Sequence, residues 1–167
     1  TLGLIGYGHI AKKVAKIAHA FSMNVIFYNH KSKTIPENWI KQVTLDELFE
    51  NSDIISLHVI QTPDTINMIN KSTISKMKPT VIILNTSRGK LINEQDIADA
   101  LNSENIYALG TDVVSNEPIS KNNPLLGAKN CFITPHIAWA PLETRERLLE
   151  ITITNLQSYL IGKKKNI

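Results

Sequence analysis

The chain has a single cysteine, Cys131, among its 167 residues. One thiol cannot form an internal disulfide, and no cluster of Cys and His residues has the spacing of a zinc site or of another metal site. Cys131 stands at the start of an apolar run, so we expect a buried structural thiol. The sequence therefore predicts neither a disulfide-stabilised fold nor a metal centre.

Long apolar runs and a large excess of one charge are also missing. No apolar run reaches the length of a membrane span, so we expect no membrane partner. The net charge is only +3, and three lysines at 163–165 supply an amount equal to it, which favours a solvated tail over a nucleic-acid-binding patch. With 43% hydrophobic and 20% charged residues, the composition is that of an ordinary globular domain, and we expect a cytoplasmic protein.

The most informative motif is the Gly-x-Gly-x-x-Ala turn at residues 6–11, because of its position. It follows the apolar run 2–5, and apolar residues recur with a helical period over 10–21 after it. In such a turn the first glycine allows the tight bend, the second lets a phosphate approach the main chain, and the helix offers free N–H groups. The turn predicts a dinucleotide pyrophosphate site, with a plain strand–helix turn as the alternative.

Strand patterns alternate with helix patterns along the chain. Strands are predicted at residues 2–5, 24–28, 54–58, 81–85, 107–111 and 132–134. Helices are predicted at residues 10–21, 45–50, 71–77, 93–101 and 142–160, and the segment 31–42 is predicted to be a surface loop. The alternation predicts an α/β fold, a Rossmann-type doubly wound parallel sheet in three α/β/α layers.

Polar residues follow the carboxyl ends of these strands, where sheets of this type bind their ligands. In chain order they are Gly6, then Asn29, His30 and Lys31, then Thr62, then Thr86, Ser87 and Arg88, then Asp112 and Glu117, and finally His136. Because the carboxyl ends of parallel strands meet at one edge, we expect these residues to form one site.

Arg88, Glu117 and His136 have the chemistry of a reaction site. An arginine can bind a carboxylate through two parallel hydrogen bonds, although Arg88 could instead cap a nearby helix. A carboxylate at Glu117 paired with His136 would favour the protonated imidazole, although a lone histidine is usually a satisfied structural residue. With a bound nicotinamide the three could reduce a 2-oxo acid, and spacing alone leaves that assembly a hypothesis.

Longer motifs resemble those of the D-isomer-specific 2-hydroxyacid dehydrogenase family. In the family's order and spacing after the glycine turn, they are the segments 57–59, 62–65, 85–94, 109–113 with 117–118, and 134–140. Within the family, the run 136–140 is similar to that of glycerate dehydrogenases and hydroxypyruvate reductases. The resemblance covers essentially the whole chain. It implies an NAD(P)-dependent oxidoreductase that interconverts a D-2-hydroxy acid, such as D-glycerate, and its 2-oxo acid by hydride transfer.

The resemblance also implies a role for each site residue. Arg88 would bind the substrate carboxylate, His136 would be the acid/base, and Glu117 would raise the pKa of the histidine. Asp112 would hydrogen-bond the nicotinamide carboxamide. Residues expected to bind the cofactor are Gly6, Gly8, His9, Ile10, Asn29, His30, Lys31, Val59, Ile60, Thr65, Thr86, Ser87, Arg88, Asp112 and His136. The substrate pocket would contain Arg88, His136 and Trp139, with a core tryptophan as the alternative for Trp139.

Asn29 departs from the family pattern, which often has Asp at this position. An aspartate accepts hydrogen bonds from the ribose hydroxyls of NAD and repels the phosphate of NADP. Asn29 cannot repel phosphate, and His30 and Lys31 could attract it. We therefore expect NAD as the cofactor, with substantial tolerance of NADP. Ile60, where proline is common, is expected to change only the stiffness of its loop.

The resemblance further implies a two-domain protein of which this chain is one part. Residues 1–150 would form the NAD(P)-binding Rossmann domain, and 151–167 a helix and basic tail that return toward an absent substrate domain. We expect the fragment to bind cofactor but to turn over poorly. The full-length protein is expected to be a homodimer that acts on a small 2-oxo or 2-hydroxy acid.

Two other readings of the sequence stay open at this stage. Dinucleotide-sensing transcriptional corepressors resemble the same family and keep the Arg, Glu and His pattern, but the Ile-Ala-Trp-Ala run at 137–140 favours the enzyme. A methyltransferase with a similar glycine turn would require the pattern at Arg88, Glu117 and His136 to be a coincidence.

Overall fold

Seven parallel strands form one sheet in the computed structural model, which describes residues 1–32 and 34–166. The strands are β1 (Leu2–Ile5), β2 (Val25–Tyr28), β3 (Ile40–Gln42), β4 (Ile54–Leu57), β5 (Ile82–Asn85), β6 (Ala108–Thr111) and β7 (Cys131–Ile133). Their order is β3-β2-β1-β4-β5-β6-β7, and each neighbouring pair is parallel. The chain therefore moves outward from β1 in both directions, as the doubly wound fold predicts.

Four α-helices connect these strands. They are α1 (His9–Ala20), α2 (Leu45–Asn51), α3 (Lys71–Ile74) and α4 (Glu94–Asn102), with 3₁₀ turns at Gly89–Leu91 and Pro124–Gly127. The N-cap residues Thr44, Asn70 and Asn93 each accept a hydrogen bond from the first turn of the helix that follows. These side chains satisfy N–H groups that a helix start leaves without intrahelical partners, which explains where the three helices begin.

Side chains of β1 contribute to hydrophobic clusters on both faces of the sheet. Leu4 packs in one cluster with Ala11 and Ala15 of α1. Ile5 lies in a larger cluster that includes Leu48 of α2 and residues of α4. Because successive side chains of a strand point to opposite faces, helices cover both faces near the central strand. The predicted three-layer α/β/α arrangement is confirmed for this part of the chain.

Helix α1 presents small residues to the sheet and large apolar residues to its outer side. Its buried residues are all alanines. The side chains of Ile10, Ile17 and Phe21 are 70%, 60% and 79% exposed. The apolar period that predicts this helix therefore arises partly from an exposed stripe, which we call the α1 stripe (Ile10, Ile17, Phe21).

The prediction of a surface loop over 31–42 is wrong at its end, where β3 (Ile40–Gln42) extends the sheet. Ile40 is 5% exposed and pairs with Val25 of β2. A strand of three residues is too short to show an alternating pattern in the sequence. Lys33, within the same segment, lies outside the described residues.

The other differences from the sequence predictions are small. Most predicted strands differ from the observed strands by about one residue at one end, and α3 ends at Ile74 instead of Met77 because the chain continues as a turn. Cys131 is only half-buried, so the prediction of a buried thiol is correct only in part. Its partial burial nevertheless raises its pKa to about 11, because the thiolate loses hydration.

The residues divide into two compact units, of which the first spans Thr1–Pro135 and the second begins at His136. The second unit contains α5 (Leu142–Leu160), which has no buried residue, and Gly162 follows it with a φ of +69°. The expected boundary at residue 150 stays a prediction. Among the described residues, no helix combines the length and apolarity needed to cross a membrane.

Candidate functional site

Gly6 fixes the turn between β1 and α1. Its φ is +92°, and a Cβ there would lie 2.7 Å from the carbonyl oxygen of His58 and 2.9 Å from Val59 Cγ1. Only glycine adopts this conformation without strain, and only glycine leaves room for the end of β4. Ala11, in the first turn of α1, is fully buried. The first glycine and the final alanine of the motif are therefore explained by the protein's own packing.

Gly8 has no such packing reason. A Cβ at Gly8 would meet no atom of the described chain within 4 Å. It is the N-cap of α1, where no hydrogen bond from a capping side chain is found in the described structure and where the first turn has no acidic residue. A cavity of about 260 Å³ lies beside this helix start, lined by Gly8, His9, Ile10, Ala11, His58, Thr86 and Ser87. The open main chain and the positive end of the helix fit an anion such as a pyrophosphate.

Asn29 lies directly beside the glycine turn. The amide of Gly6 donates to the carbonyl oxygen of Tyr28 over 2.9 Å, so the residue that follows β2 is next to the turn. The side-chain nitrogen of Asn29 donates to the carbonyl oxygen of Lys31 over 2.9 Å. Gln42 of β3 donates to the carbonyl oxygens of Asn29 and Lys31 over 3.0 and 3.3 Å. The missed strand β3 therefore helps to fix the main chain at the three residues expected near the ribose, Asn29, His30 and Lys31.

The loop after β4 is closed by Thr65. Its hydroxyl donates to the carbonyl oxygen of Ile60 over 2.8 Å and accepts from the amide of Thr62 over 2.7 Å. The side chain of Ile60 is 77% exposed, and Val59 is partly buried against the larger hydrophobic cluster. Thr65 thus shapes the loop that presents Val59 and Ile60, and both its donor and acceptor capacities are used within the protein.

Asn85 at the end of β5 holds the turn that leads to Arg88. Asn85 is fully buried, accepts from the amide of Ser87 over 3.1 Å, and donates to the carbonyl oxygen of Arg88 over 3.0 Å. The hydroxyl of Ser87 donates to the carbonyl oxygen of Leu57 over 2.7 Å, while Thr86 is exposed. The guanidinium of Arg88 is exposed and donates to the carbonyl oxygen of Ser87 over 2.6 Å. Arg88 stands at the N-cap of the 3₁₀ turn Gly89–Leu91, but its side chain makes no capping hydrogen bond within the described structure.

Asp112 and Glu117 lie on the loop after β6. Asp112 is only 4% exposed, its amide extends the sheet by donating to Asn85 over 2.9 Å, and its carboxylate accepts from the hydroxyl of Thr134. Glu117 is exposed, and its carboxylate accepts from the amide of Val114 over 3.2 Å. The loop therefore holds one buried and one exposed carboxylate, at the same end of the sheet as Arg88.

His136 is the first residue of the second unit. Its φ is +55°, a left-handed conformation that is uncommon outside glycine. The indole nitrogen of Trp139 donates to the carbonyl oxygen of His136 over 2.7 Å, and the side chain of Trp139 is 58% exposed. Trp139 is therefore not a core residue, and its contact fixes the short turn that carries the histidine.

His58 lines the cavity and was not among the expected site residues. Its Nε2 lies 2.9 Å from the hydroxyl of Ser56, and its partial burial lowers its pKa because the charged ring would lose hydration. The sequence analysis counts His58 as the last residue of a strand at 54–58, whereas β4 ends at Leu57 and His58 follows it at the carboxyl edge of the sheet. In residues 1–32 and 34–166 no group of three or more His, Cys, Asp or Glu side chains could hold a metal ion.

The family model described as D-isomer specific 2-hydroxyacid dehydrogenase, NAD binding domain, matches residues 1–138. A hydroxypyruvate reductase of Blautia hydrogenotrophica is 52% identical over 168 residues, which cover 100% of this chain and 52% of that protein. The chain spans about half the length of the curated relatives it matches.

Solved structures with the same fold include two with a bound cofactor. One is an acyclic imino acid reductase (Bsp5) in complex with NADPH and D-Arg, with a TM-score of 0.90 and 39% identity. The other is D-lactate dehydrogenase with NAD⁺ from Lactobacillus jensenii, with a TM-score of 0.91 and 27% identity. The matches cover 99% of this chain and 52% and 54% of those chains.

Proposed function

The chain belongs to the D-isomer specific 2-hydroxyacid dehydrogenase family, and from that premise we propose that it is the cofactor-binding part of an NAD(P)-dependent oxidoreductase. The proposed reaction interconverts a D-2-hydroxy acid and its 2-oxo acid. The observation that carries the proposal is the open start of α1. Gly8 leaves space for a ligand, and the adjoining cavity reaches the ends of β4 and β5. The match of residues 1–138 to an NAD binding domain supports a dinucleotide as the ligand of this anion site.

The residues present fit a dinucleotide that lies along the carboxyl edge of the sheet. The amides of His9 and Ile10 would bind the pyrophosphate, because they belong to the first turn of α1 and have no intrahelical acceptors. Asn29 would meet the adenosine ribose, beside the glycine turn. Thr86 and Asp112, which directly follow the neighbouring strands β5 and β6, would face the nicotinamide end.

The proposed chemistry assigns one task to each of three side chains. The exposed guanidinium of Arg88 binds the carboxylate and 2-oxo group of the substrate. His136 donates a proton to the carbonyl oxygen in reduction and removes it in oxidation. Glu117 supplies the carboxylate that the proposed mechanism pairs with the imidazole. The nicotinamide supplies or accepts the hydride when it is bound.

The proposed cofactor range includes both NAD and NADP. Asn29 carries no charge to repel a ribose phosphate, and the side chains of His30 and Lys31 are exposed beside it. Relatives in the same fold support either choice, since one structure holds NADPH and another NAD⁺. The proposed substrates are hydroxypyruvate and glyoxylate, and the hydroxypyruvate reductase that shares 52% identity supports the first.

We further propose that the full-length protein is a homodimer. The α1 stripe supports this, because exposed apolar patches on a nucleotide-binding domain commonly mark protein interfaces. Light scattering should give the full-length protein twice the mass of one chain. The mass of a single chain at all concentrations would contradict the proposal.

Two experiments test the proposed function. Titration of this chain with NADH and NADPH, followed by fluorescence, should give saturable binding of both with dissociation constants within about tenfold of each other. Undetectable binding of either cofactor would contradict the proposed range. In the full-length protein, turnover of hydroxypyruvate and glyoxylate should be lost in His136→Ala while cofactor binding persists. Equal losses of turnover and binding would count against the role of His136.

A further inference from the structure

Glu94, the first residue of α4, reaches out of its own helix to a distant loop. Its Oε1 accepts from the amide of Ser115 over 2.6 Å. Its Oε2 accepts from the hydroxyl of Ser115 over 2.7 Å and from the side-chain nitrogen of Asn123 over 3.0 Å. All three donors therefore belong to the segment that follows β6. We call Glu94, Ser115 and Asn123 the Glu94 clamp.

The clamp lies where the loops that carry the site residues touch. A Cβ at Gly89 would lie 2.0 Å from the carbonyl carbon of Val114 and 2.5 Å from the amide nitrogen of Ser115. The main chain next to Arg88 is therefore in direct contact with the main chain of the loop after β6. If Ser115 moved away from α4, the preceding residue Val114 would move away from Gly89. The contact between the turn of Arg88 and the loop after β6 would then be lost.

The same segment fixes the two carboxylates of the loop. Val114 donates its amide to Glu117 over 3.2 Å, and Asp112 is tied to β5 through Asn85. The position of Val114 therefore helps to place the carboxylate of Glu117. A contact that secures Ser115 acts on the loop at its middle, between the two acidic residues.

Only a carboxylate can accept all three hydrogen bonds with two oxygens. A glutamine has one oxygen, and an NH₂ group in place of Oε2 would meet the NH₂ group of Asn123 donor to donor, while the hydroxyl of Ser115 would have to turn and accept. Hydrogen bonds to a charged acceptor are also shorter and stronger than those between neutral groups. The substitution Glu94→Gln therefore weakens the clamp with almost no change in side-chain volume.

We propose that Glu94 is a positioning residue of the candidate site. Its carboxylate holds the loop that carries Asp112 and Glu117 in contact with the turn that carries Arg88. Glu94 touches neither substrate nor cofactor in this scheme and acts through Ser115. The inference rests on the proposed function, because it assigns Asp112 to the nicotinamide end of the cofactor.

Two measurements on Glu94→Gln in this chain test the inference. Amide hydrogen exchange at Ser115 should be faster by about tenfold or more, because its acceptor loses the negative charge and the clamp loses the hydrogen bond from Asn123. Affinity for NADH should fall by about tenfold, while affinity for ADP-ribose, which lacks the nicotinamide, should change by less than about twofold. If Glu94 had a purely structural role, the affinities for NADH and for ADP-ribose would fall together. The difference between the two affinity changes is therefore the informative measurement.

Two further variants keep the test decisive. Ser115→Ala removes a single hydrogen-bond donor. It should lower the affinity for NADH by about threefold and leave the affinity for ADP-ribose nearly unchanged. Gln95→Ala is the matched control, because Gln95 is exposed next to Glu94 and its side chain bonds only to Asp99 in the described structure. This variant should leave the affinities for NADH and ADP-ribose and the amide exchange rate of Ser115 unchanged.

The outcomes separate this inference from the proposed function. The positioning role of Glu94 would be contradicted if Glu94→Gln lowered the affinities for NADH and ADP-ribose equally. It would also be contradicted if amide hydrogen exchange at Ser115 were unchanged in this variant. If the unsubstituted chain bound none of NADH, NADPH and ADP-ribose, the proposed function would fail, and the positioning role would fail with it. The exchange measurement would then report only on the contact between Glu94 and Ser115.

Discussion

The carbonyl oxygen of His58 lies directly against Gly6, at 2.7 Å from the position that a Cβ would take. This contact joins the end of β4 to the turn after β1, so the first glycine of the motif is required by the fold. The second glycine, Gly8, has open space at the same position. Experiments can therefore distinguish the two glycines. Substitution of Gly6 should affect the stability of the chain, and substitution of Gly8 should affect ligand binding.

We predict that Gly6→Ala destabilises the chain. A side chain at φ +92° is strained, and its Cβ would meet main-chain atoms that cannot move aside cheaply. The free energy of unfolding should fall by about 2 kcal/mol or more, measured by urea denaturation. Gly127→Ala is the control, since a Cβ there meets no described atom within 4 Å. Equal stability of the two variants would contradict the packing argument.

Gly8→Ala should have the opposite profile. The φ of Gly8 is −91°, which alanine tolerates, so the free energy of unfolding should change by less than about 1 kcal/mol. The added methyl group would occupy the space through which a phosphate approaches the main chain. Affinity for NADH should fall by about tenfold or more in a fluorescence titration. Unchanged affinity would mean that the pyrophosphate does not bind at this helix start.

The sequence predicts the glycine turn and the alternation of strands and helices along the chain because both leave strong local patterns. Strand β3 leaves none, since its three residues are held by pairing with β2. The same limit applies to Glu94, which looks like an ordinary residue of a helix start. Its three hydrogen bonds reach residues more than twenty positions away, and no local pattern encodes them. Contacts that depend on the folded chain are thus the part that sequence patterns miss.

Cofactor choice should respond to a single charge at position 29. Asn29→Asp places a carboxylate beside the ribose hydroxyls, where it accepts hydrogen bonds from NADH and repels the phosphate of NADPH. We expect affinity for NADPH to fall by about tenfold and affinity for NADH to stay equal or rise. Parallel titrations with both cofactors measure this ratio. A variant that kept the original ratio would show that position 29 does not face the ribose phosphate.

Stability should also depend on the protonation of His58. Partial burial lowers its pKa below the ordinary value of 6.5, so the unfolded chain takes up a proton at a higher pH than the folded chain does. At a pH well above 6.5 both states are neutral at this residue and it has no effect. As the pH falls from 6.5 through the lower folded pKa, the unfolded state gains protons first, and the free energy of unfolding decreases.

Replacement of the imidazole should remove this part of the pH dependence. We expect His58→Gln, which can still hydrogen-bond Ser56, to lose less stability than the unsubstituted chain between about pH 7.5 and about pH 5.5. Urea denaturation at the two pH values measures the difference. His30→Gln is the matched control, because His30 is exposed, and it should keep the full decrease. If His58→Gln and His30→Gln lost the same stability on acidification, the buried imidazole would not be the source of the effect.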